Sequence, residues 1–342
     1  MSADATHQKR PTVAVLATGG TIAGDTADAT QTASYKAGVF SVERLLSAIP
    51  ALDGIAEIYA EQIASIDSKD LDDALWITLT HRVNTLLMQN NIDGLVIAHG
   101  TDTLEETAYW LHLTVASIKP VVLTAAMRPF TALSADGSLN LLNAVTLAAH
   151  PDAVARGVLV AFANRIHGAR DITKISTYAV DAFASPESGI LGWIQDGRVE
   201  FQRLVTRAHT MQSVFKINAI DTQYALPAVQ IVVSHAGASR LVVDTLVNAR
   251  ICGIVVAGTG NGSVHVRLQQ ALADARARGV AVVRSSRVGS GHVMRNGAAP
   301  DDALGLVSAG TLNPYKARVL LILALTHGWG EPVMLQSLFD QY

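Results

Sequence analysis

The stretch Ile97-Ala98-His99-Gly100-Thr101-Asp102-Thr103-Leu104-Glu105-Glu106-Thr107 constrains the fold more than any other part of the chain. Just before it, Asp93-Gly94-Leu95-Val96-Ile97-Ala98 is a short apolar run, the pattern of a strand buried on both faces. After it, Leu104, Ala108, Leu111 and Val115 recur at helical spacing, with Glu105 and Glu106 in the first turn where the helix dipole favours acids. Gly100-Thr101-Asp102 therefore marks a turn from strand to helix. It sets a hydroxyl and a carboxylate beside free backbone N–H groups, at the carboxyl end of a parallel sheet where such folds bind ligands. On its own the turn also reads as an ordinary helix cap, because Thr and Asp are favoured there.

The same alternation runs along the chain. Residues 12–17 read as a strand that ends in Thr18-Gly19-Gly20-Thr21-Ile22-Ala23-Gly24. Residues 41–49 read as a short helix ended by Pro50, 55–62 as a strand, and Ser65-Ile66-Asp67-Ser68-Lys69-Asp70 as the next turn before a helix over 71–88. Strands follow at 93–98, 120–125 and 157–161, with helices at 103–116 and 138–149. From Thr206 to Leu226 the pattern lapses, and a second set begins: strands at 229–233, 251–257 and 280–283, helices at 239–249, 263–278 and finally 314–327. Strands alternating with helices indicate βαβ units. The expected fold is α/β, with two doubly wound domains: a larger N-terminal one over 1–205, a linker over 206–226 and a smaller C-terminal one over 227–342. A length of 342 residues fits two cores better than one.

Composition narrows the function classes. Hydrophobic residues make up 49% and charged ones 16%, so large cores form and disorder is not expected. A formal net charge of −3 gives no electrostatic reason for a nucleic-acid or anionic-membrane partner. No segment has the length and apolarity of a membrane span, and the polar first ten residues do not read as a leader. That predicts a cytoplasmic chain, or a periplasmic one given without its leader. Cys252 cannot pair within the chain, and its apolar neighbours predict a small buried hydrophobe. The eleven histidines show no HExxH spacing and no cysteine partner, so no metal is expected. Gly258-Thr259-Gly260-Asn261-Gly262 lacks both GxGxxG spacing and a P-loop lysine, which leaves a nucleotide-binding oxidoreductase with little support. No apolar strand leads into Gly289-Ser290-Gly291, so it is not a nucleophile elbow.

Chemistry concentrates on two threonines. Thr21 and Thr101 both follow glycines at carboxyl ends of strands, where Gly20 and Gly100 let backbone N–H groups approach a substrate oxygen. A threonine hydroxyl attacks poorly until something takes its proton. Asp102 is adjacent to one threonine, and the candidate bases further along are Lys174 and Tyr35. Tyr35 lies in a small, polar connection over residues 25–40, long enough to be a mobile lid or a disordered insert. Each residue has a plainer reading: Lys174 as a solvated loop charge, Tyr35 as a rim aromatic, His99 as an internal hydrogen-bonding group.

The segments at residues 17–24, 99–108, 126–129 (Ala-Met-Arg-Pro), 134–137 (Ser-Ala-Asp-Gly) and 168–174 (Gly-Ala-Arg-Asp-Ile-Thr-Lys) together resemble the bacterial L-asparaginase family, including its glutaminase-asparaginase members. So do 260–262, 283–288 and 308–314, in the same order along nearly the whole chain. The resemblance implies hydrolysis of a side-chain carboxamide through an acyl-enzyme, with a small-molecule amide as substrate and no metal or organic cofactor. It implies Thr21 as nucleophile and Tyr35 as its proton partner. It also implies that Thr101, Asp102 and Lys174 form the second cluster, and that Ser68 and Asp102 hold the substrate's α-carboxylate and α-ammonium. It further implies a homotetramer, a dimer of dimers in which one subunit completes its neighbour's site.

Two positions depart from the family pattern. Lys69 stands where Gln or Glu usually helps to bind the α-ammonium, and Ala298 stands where the neighbouring subunit normally supplies a glutamate. Asp301 and Asp302 follow Ala298 but match other acids of the family. Two like charges about 4 Å apart cost about 4 kcal/mol at an effective dielectric of about 20, so an inward Lys69 would weaken asparagine binding. A Lys69 that swings to solvent would be harmless. The alternatives are therefore a related amidase preferring a carboxamide with an altered or absent α-amine, and a ligand-binding relative without turnover.

Overall fold

The apolar runs become strands and the segments after them helices in a computed structural model that describes residues 9–215, 217 and 225–342. The strands of the N-terminal part are β1 (Thr12–Gly19), β2 (Glu57–Ile66), β3 (Gly94–Ala98), β4 (Val121–Thr124), β5 (Val158–Phe162), β6 (Arg165–Gly168), β7 (Thr173–Lys174), β8 (Phe183–Ala184), β9 (Gly192–Gln195) and β10 (Arg198–Phe201). Its helices are α1 (Val42–Ser47), α2 (Asp73–Leu87), α3 (Leu104–Thr114) and α4 (Gly137–Ala148). Eight strands form one sheet in the order β10-β9-β6-β5-β4-β3-β1-β2, while β7 and β8 pair apart from it. From β2 to β5 every pairing is parallel, and the order 2-1-3-4-5 puts the topological switch point between β1 and β3.

The other edge is antiparallel, so the sheet is mixed, which the βαβ pattern did not foresee. A signal for it was present. Asp196-Gly197 is a two-residue hairpin turn between β9 and β10, with φ of 50° and 77°, the positive values such turns require.

The C-terminal sheet is parallel throughout, with β11 (Val229–Val233), β12 (Gly253–Gly258), β13 (Ala281–Ser286) and β14 (Val307–Ser308) side by side in chain order. Its helices are α5 (Leu241–Asn248), α6 (Val266–Ala277), α7 (Asp301–Leu304), α8 (Pro314–Thr326) and α9 (Pro332–Gln341). The helix expected last is therefore followed by another. Pro332 starts it, and Leu335, Leu338 and Phe339 form its buried stripe. Cys252 is exposed rather than buried: β12 begins one residue later, leaving the cysteine in the turn outside the sheet.

Helix α3 joins the two lobes. It is buried nearly all round, polar side chains included, and among its residues only Glu106 is not buried. Against α2, Trp110 stacks on Trp76 with ring centroids 5.1 Å apart, and both indole N–H groups donate to buried threonines, Thr80 and Thr107. Against its other flank lies α8. One apolar cluster runs from Leu16, Leu79 and Trp110 through Leu320 and Ile322 to Val255 and Val283, so the lobes share a core. The linker read at 206–226 lies partly outside the described residues. Its described beginning is docked, with His209 against His112 and Phe215 buried beside Trp329 and Tyr342.

In the C-terminal lobe, Arg284 of β13 is fully buried and paired with the equally buried Asp301. Its Nε and Nη2 reach the two carboxylate oxygens at 2.7 and 2.6 Å, and the remaining donors serve the carbonyls of Asn261, Gly262 and Met294. Asp301 also accepts from the Asn296 N–H at 2.8 Å. One guanidinium thus ties the β12–α6 loop and the β13–α7 loop to the start of α7.

Candidate active site

β1 and β3 run side by side, Leu16 opposite Ile97 and Ala17 opposite Ala98, so the turns that leave them emerge as neighbours. These turns touch backbone to backbone. A Cβ on Gly20 would lie 2.3 Å from Gly100 Cα, and Gly20 has a φ of 78°, so both space and conformation require glycine. Thr21 and Thr101 are the next residues on the two turns. β2 contributes the third turn: Ser68 Oγ accepts from the Asp102 N–H at 3.2 Å, and the Ser68 carbonyl accepts from the Thr103 hydroxyl at 2.9 Å. Three carboxyl ends of a doubly wound sheet converge at its switch point.

The connection over 25–40 is folded back rather than open. Asp25 and Lys36 exchange both backbone hydrogen bonds at 2.9 Å, and the Thr131 hydroxyl donates to Asp25 Oδ1. This return brings Tyr35 over the first turn, where its hydroxyl and that of Thr21 share a hydrogen bond of 2.6 Å. Thr21 is buried and Tyr35 sits at the rim.

The second threonine has a different partner. Lys174 Nζ donates to Thr101 Oγ1 at 2.9 Å and to Asp102 Oδ1 at 2.6 Å. The Lys174 side chain is only 19% exposed, so it is no solvated loop charge, whereas the Asp102 carboxylate is 53% exposed and open to a ligand. His99 is internal, as expected. With Nδ1 protonated it donates to the Gly100 carbonyl, and burial pushes its imidazole down to about 4, which keeps the ring neutral.

The structure does not bring Lys69 into the site. Its ammonium turns outward to Asp67 at 2.7 Å and Asp70 at 3.0 Å, and these two carboxylates, Asp67 foremost, hold it above the usual lysine range. Ala298 is exposed on the loop between β13 and α7, with Asp301 committed to Arg284 and Asp302 to Arg295 and Asn296.

One residue beside the site was legible only as a favourable helix-start acid. Glu105 is buried and accepts from the Thr173 hydroxyl, the Lys174 backbone and Asn313, with Lys316 close by. Its partners lie 68 to 208 residues further along, beyond any local pattern. Outside Lys174, a cavity of about 420 Å³ is bounded by Asp102, Glu105, Glu106 and Tyr315 among others. Burial there pushes the Glu106 carboxyl up to about 7, with Arg318 acting against it. Among the described residues, no three His, Cys, Asp or Glu side chains gather as metal ligands, and no helix is long and apolar enough to cross a membrane.

The site therefore offers two hydroxyls, one sharing a hydrogen bond with Tyr35 and the other accepting from Lys174, beside glycine turns whose N–H groups can face an oxyanion. That is equipment for acyl transfer.

Comparison with known proteins gives the same direction. The family described as "Asparaginase, N-terminal" matches residues 12–207, and "Glutaminase/Asparaginase C-terminal domain" matches 228–339. The chain is 46% identical to "L-asparaginase 2" of Escherichia coli over 332 residues, 97% of this chain and 93% of that protein. It is 46% identical to "Probable L-asparaginase periplasmic" of Haemophilus influenzae with the same coverage. It is 42% identical to "Glutaminase-asparaginase" of Pseudomonas fluorescens, with 98% and 92% covered. Among solved structures, the probable cytoplasmic L-asparaginase of Campylobacter jejuni superposes with a TM-score of 0.93 at 44% identity, over 97% of this chain and 100% of that one.

Proposed function

This chain belongs to the asparaginase family, and we propose that it hydrolyses L-asparagine to L-aspartate and ammonia through an acyl-enzyme on Thr21. In this reading Thr21 Oγ1 attacks the side-chain carboxamide carbon while Tyr35 takes its proton. The oxyanion is met by backbone N–H groups of the glycine turns, and ammonia leaves with the returned proton. A water beside Thr101, whose hydroxyl Lys174 holds, then attacks the ester carbon, the Thr21 Oγ1–carbon bond breaks, the water's proton passes by way of Tyr35 to Thr21 Oγ1, and aspartate is freed. Ser68 holds the α-carboxylate and Asp102 the α-ammonium. The observation that carries the reading is the contact of Gly20 with Gly100, which sets the Thr21–Tyr35 pair beside the Thr101–Lys174–Asp102 cluster.

Lys69 decides between this reading and a preference for amides lacking the α-amine. Its outward pairing with Asp67 and Asp70 favours asparagine, because Lys69 then does not oppose the substrate's ammonium. Ammonia release from asparagine, glutamine and the des-amino analogue of asparagine tests it, with Lys69→Gln alongside. Asparagine is expected to be turned over faster than its des-amino analogue, and Lys69→Gln to change kcat/KM less than about threefold, since a solvated charge acts weakly. Preference for the des-amino substrate, with asparagine use gained in Lys69→Gln, would favour the altered amidase. Folded protein that releases no ammonia from any amide would be a binding relative.

We also infer a homotetramer, a dimer of dimers. Exposed apolar side chains on the C-terminal lobe, Leu241, Val242 and Val266, are surface that such contacts would cover, and sedimentation is expected to read four chains.

A further inference from the structure

The amide chemistry makes no use of Glu105, yet its carboxylate is buried and engaged on both oxygens. One oxygen accepts from the Thr173 hydroxyl at 3.2 Å and the Lys174 backbone N–H at 3.3 Å. The other accepts from Asn313 Nδ2 at 2.6 Å and lies 3.4 Å from the Lys316 ammonium. Asn313 caps α8 by accepting from the Lys316 N–H at 3.0 Å, and its amide also reaches the Thr173 hydroxyl. Lys316 donates in addition to the Ile172 carbonyl. The first turn of α3, the strand that carries Lys174 and the first turn of α8 thus meet on one carboxylate.

That strand needs the support. β7 has two residues, paired only with Phe183 and Ala184 of β8, too short a ladder to fix a side chain by itself. The charges also balance. Burial pushes the Lys316 ammonium below its ordinary range, while Glu105 and Asp171 both act against that and favour its charged form. The other charged groups around this point are Asp102 and Glu106 at the start of α3, Lys174 itself, Arg170 and Asp171 ahead of β7, and Arg318 on α8.

We propose that Glu105 is a positioning residue for Lys174, and that Glu105 and Lys316 form a charge-neutral bracket through which α8 of the C-terminal lobe holds the Thr101–Asp102–Lys174 cluster. The proposal rests on the amide-hydrolysis reading. The bracket holds Lys174 by its backbone while adding no net charge beside its ammonium. Removing either partner should therefore shift the electrostatics of the cluster, in opposite directions.

The test is the pH dependence of kcat and kcat/KM for asparagine in the parent, Glu105→Gln, Lys316→Met and the double variant, with melting temperatures measured alongside. Glu105→Gln keeps the shape and an acceptor but strands a cation, so its profile should move to lower pH. Lys316→Met strands an anion, and its profile should move to higher pH, each by about one unit. The double variant should return to the parent's profile. A displaced Lys174 should lower kcat about 10- to 100-fold in Glu105→Gln with KM changed less than twofold. Profiles that stay in place, or that shift the same way in both single variants while activity follows melting temperature alone, would overturn the proposal. Should Lys316→Met not fold, Glu105→Gln decides: an unmoved profile with unchanged kcat overturns the bracket. A folded parent that releases no ammonia overturns the functional reading and this one together, whereas an active parent with unmoved variants overturns only this one.

Discussion

Thr21→Val is expected to release ammonia from asparagine at least ~10³-fold more slowly than the parent, with a melting temperature almost unchanged. The replacement keeps the branched shape of a buried side chain and removes one oxygen, whose hydrogen bond goes to Tyr35 at the rim. Stability should therefore fall by no more than about 1 kcal/mol. The chemistry, on the proposed mechanism, loses the atom that would form the ester. What survives is substrate binding and oxyanion stabilisation, which alone accelerate reactions modestly. Tyr35→Phe should cost less, about 10²-fold or more, as loss of a general base does. The two together should cost little more than Thr21→Val alone, because a proton acceptor without a nucleophile has nothing to do. Steady-state ammonia release measures all three. Parental rates in Thr21→Val would exclude Thr21 as nucleophile, whatever its surroundings.

The second large effect is expected on stability, in the C-terminal lobe. Asp301→Ala leaves the Arg284 guanidinium fully buried with its counter-charge gone, and breaking such a pair typically costs about 3–5 kcal/mol. Arg284→Met is expected to be at least as damaging, because the carbonyls of Asn261, Gly262 and Met294 lose their donor along with Asp301. With a urea m-value of about 1–3 kcal/mol/M, the midpoint for Asp301→Ala should fall by more than 1 M. Replacing both members by apolar residues should recover part of the loss, since the remaining penalty is then in the stranded carbonyls and not in a naked charge. An Asp301→Ala midpoint within a few tenths molar of the parent would show that water reaches the pair and that burial does not set its worth.

Elements whose signal is local were readable in the sequence. Val13 to Ala17 and Leu95 to Ala98 are apolar on both faces because both faces of their sheet are covered. Their glycine turns announced themselves because a backbone contact as close as that of Gly20 with Gly100 excludes every other residue. Boundaries moved by a few residues where caps decide them, as at Ser41, whose hydroxyl accepts from the Arg44 N–H, and at Asp72, whose carboxylate accepts from the Leu75 N–H. The antiparallel edge was obscured because β9 and β10 are only four residues each, too short for their alternation to stand out. Cys252 was misjudged because apolar neighbours say that a strand is near, but not which residue is its first. In the site, residues on the three turns could be assigned by position. The direction of the Lys69 side chain could not, since Asp67 and Asp70 compete with any ligand for its ammonium. Glu105 was out of reach for the opposite reason: its environment is assembled by β7 and α8, which only the finished fold brings to it.

The sandwiching of α3 between α2 and α8 has a consequence for how the molecule can be taken apart. A helix buried on every side cannot be left with one flank bare without exposing apolar surface, so severing the chain after the first sheet would not liberate a self-sufficient half. The severed pieces would be complementary parts, each sticky along the surface its counterpart had clothed, and reassembly would have to precede any chemistry. The two domains are thus partners over one shared core.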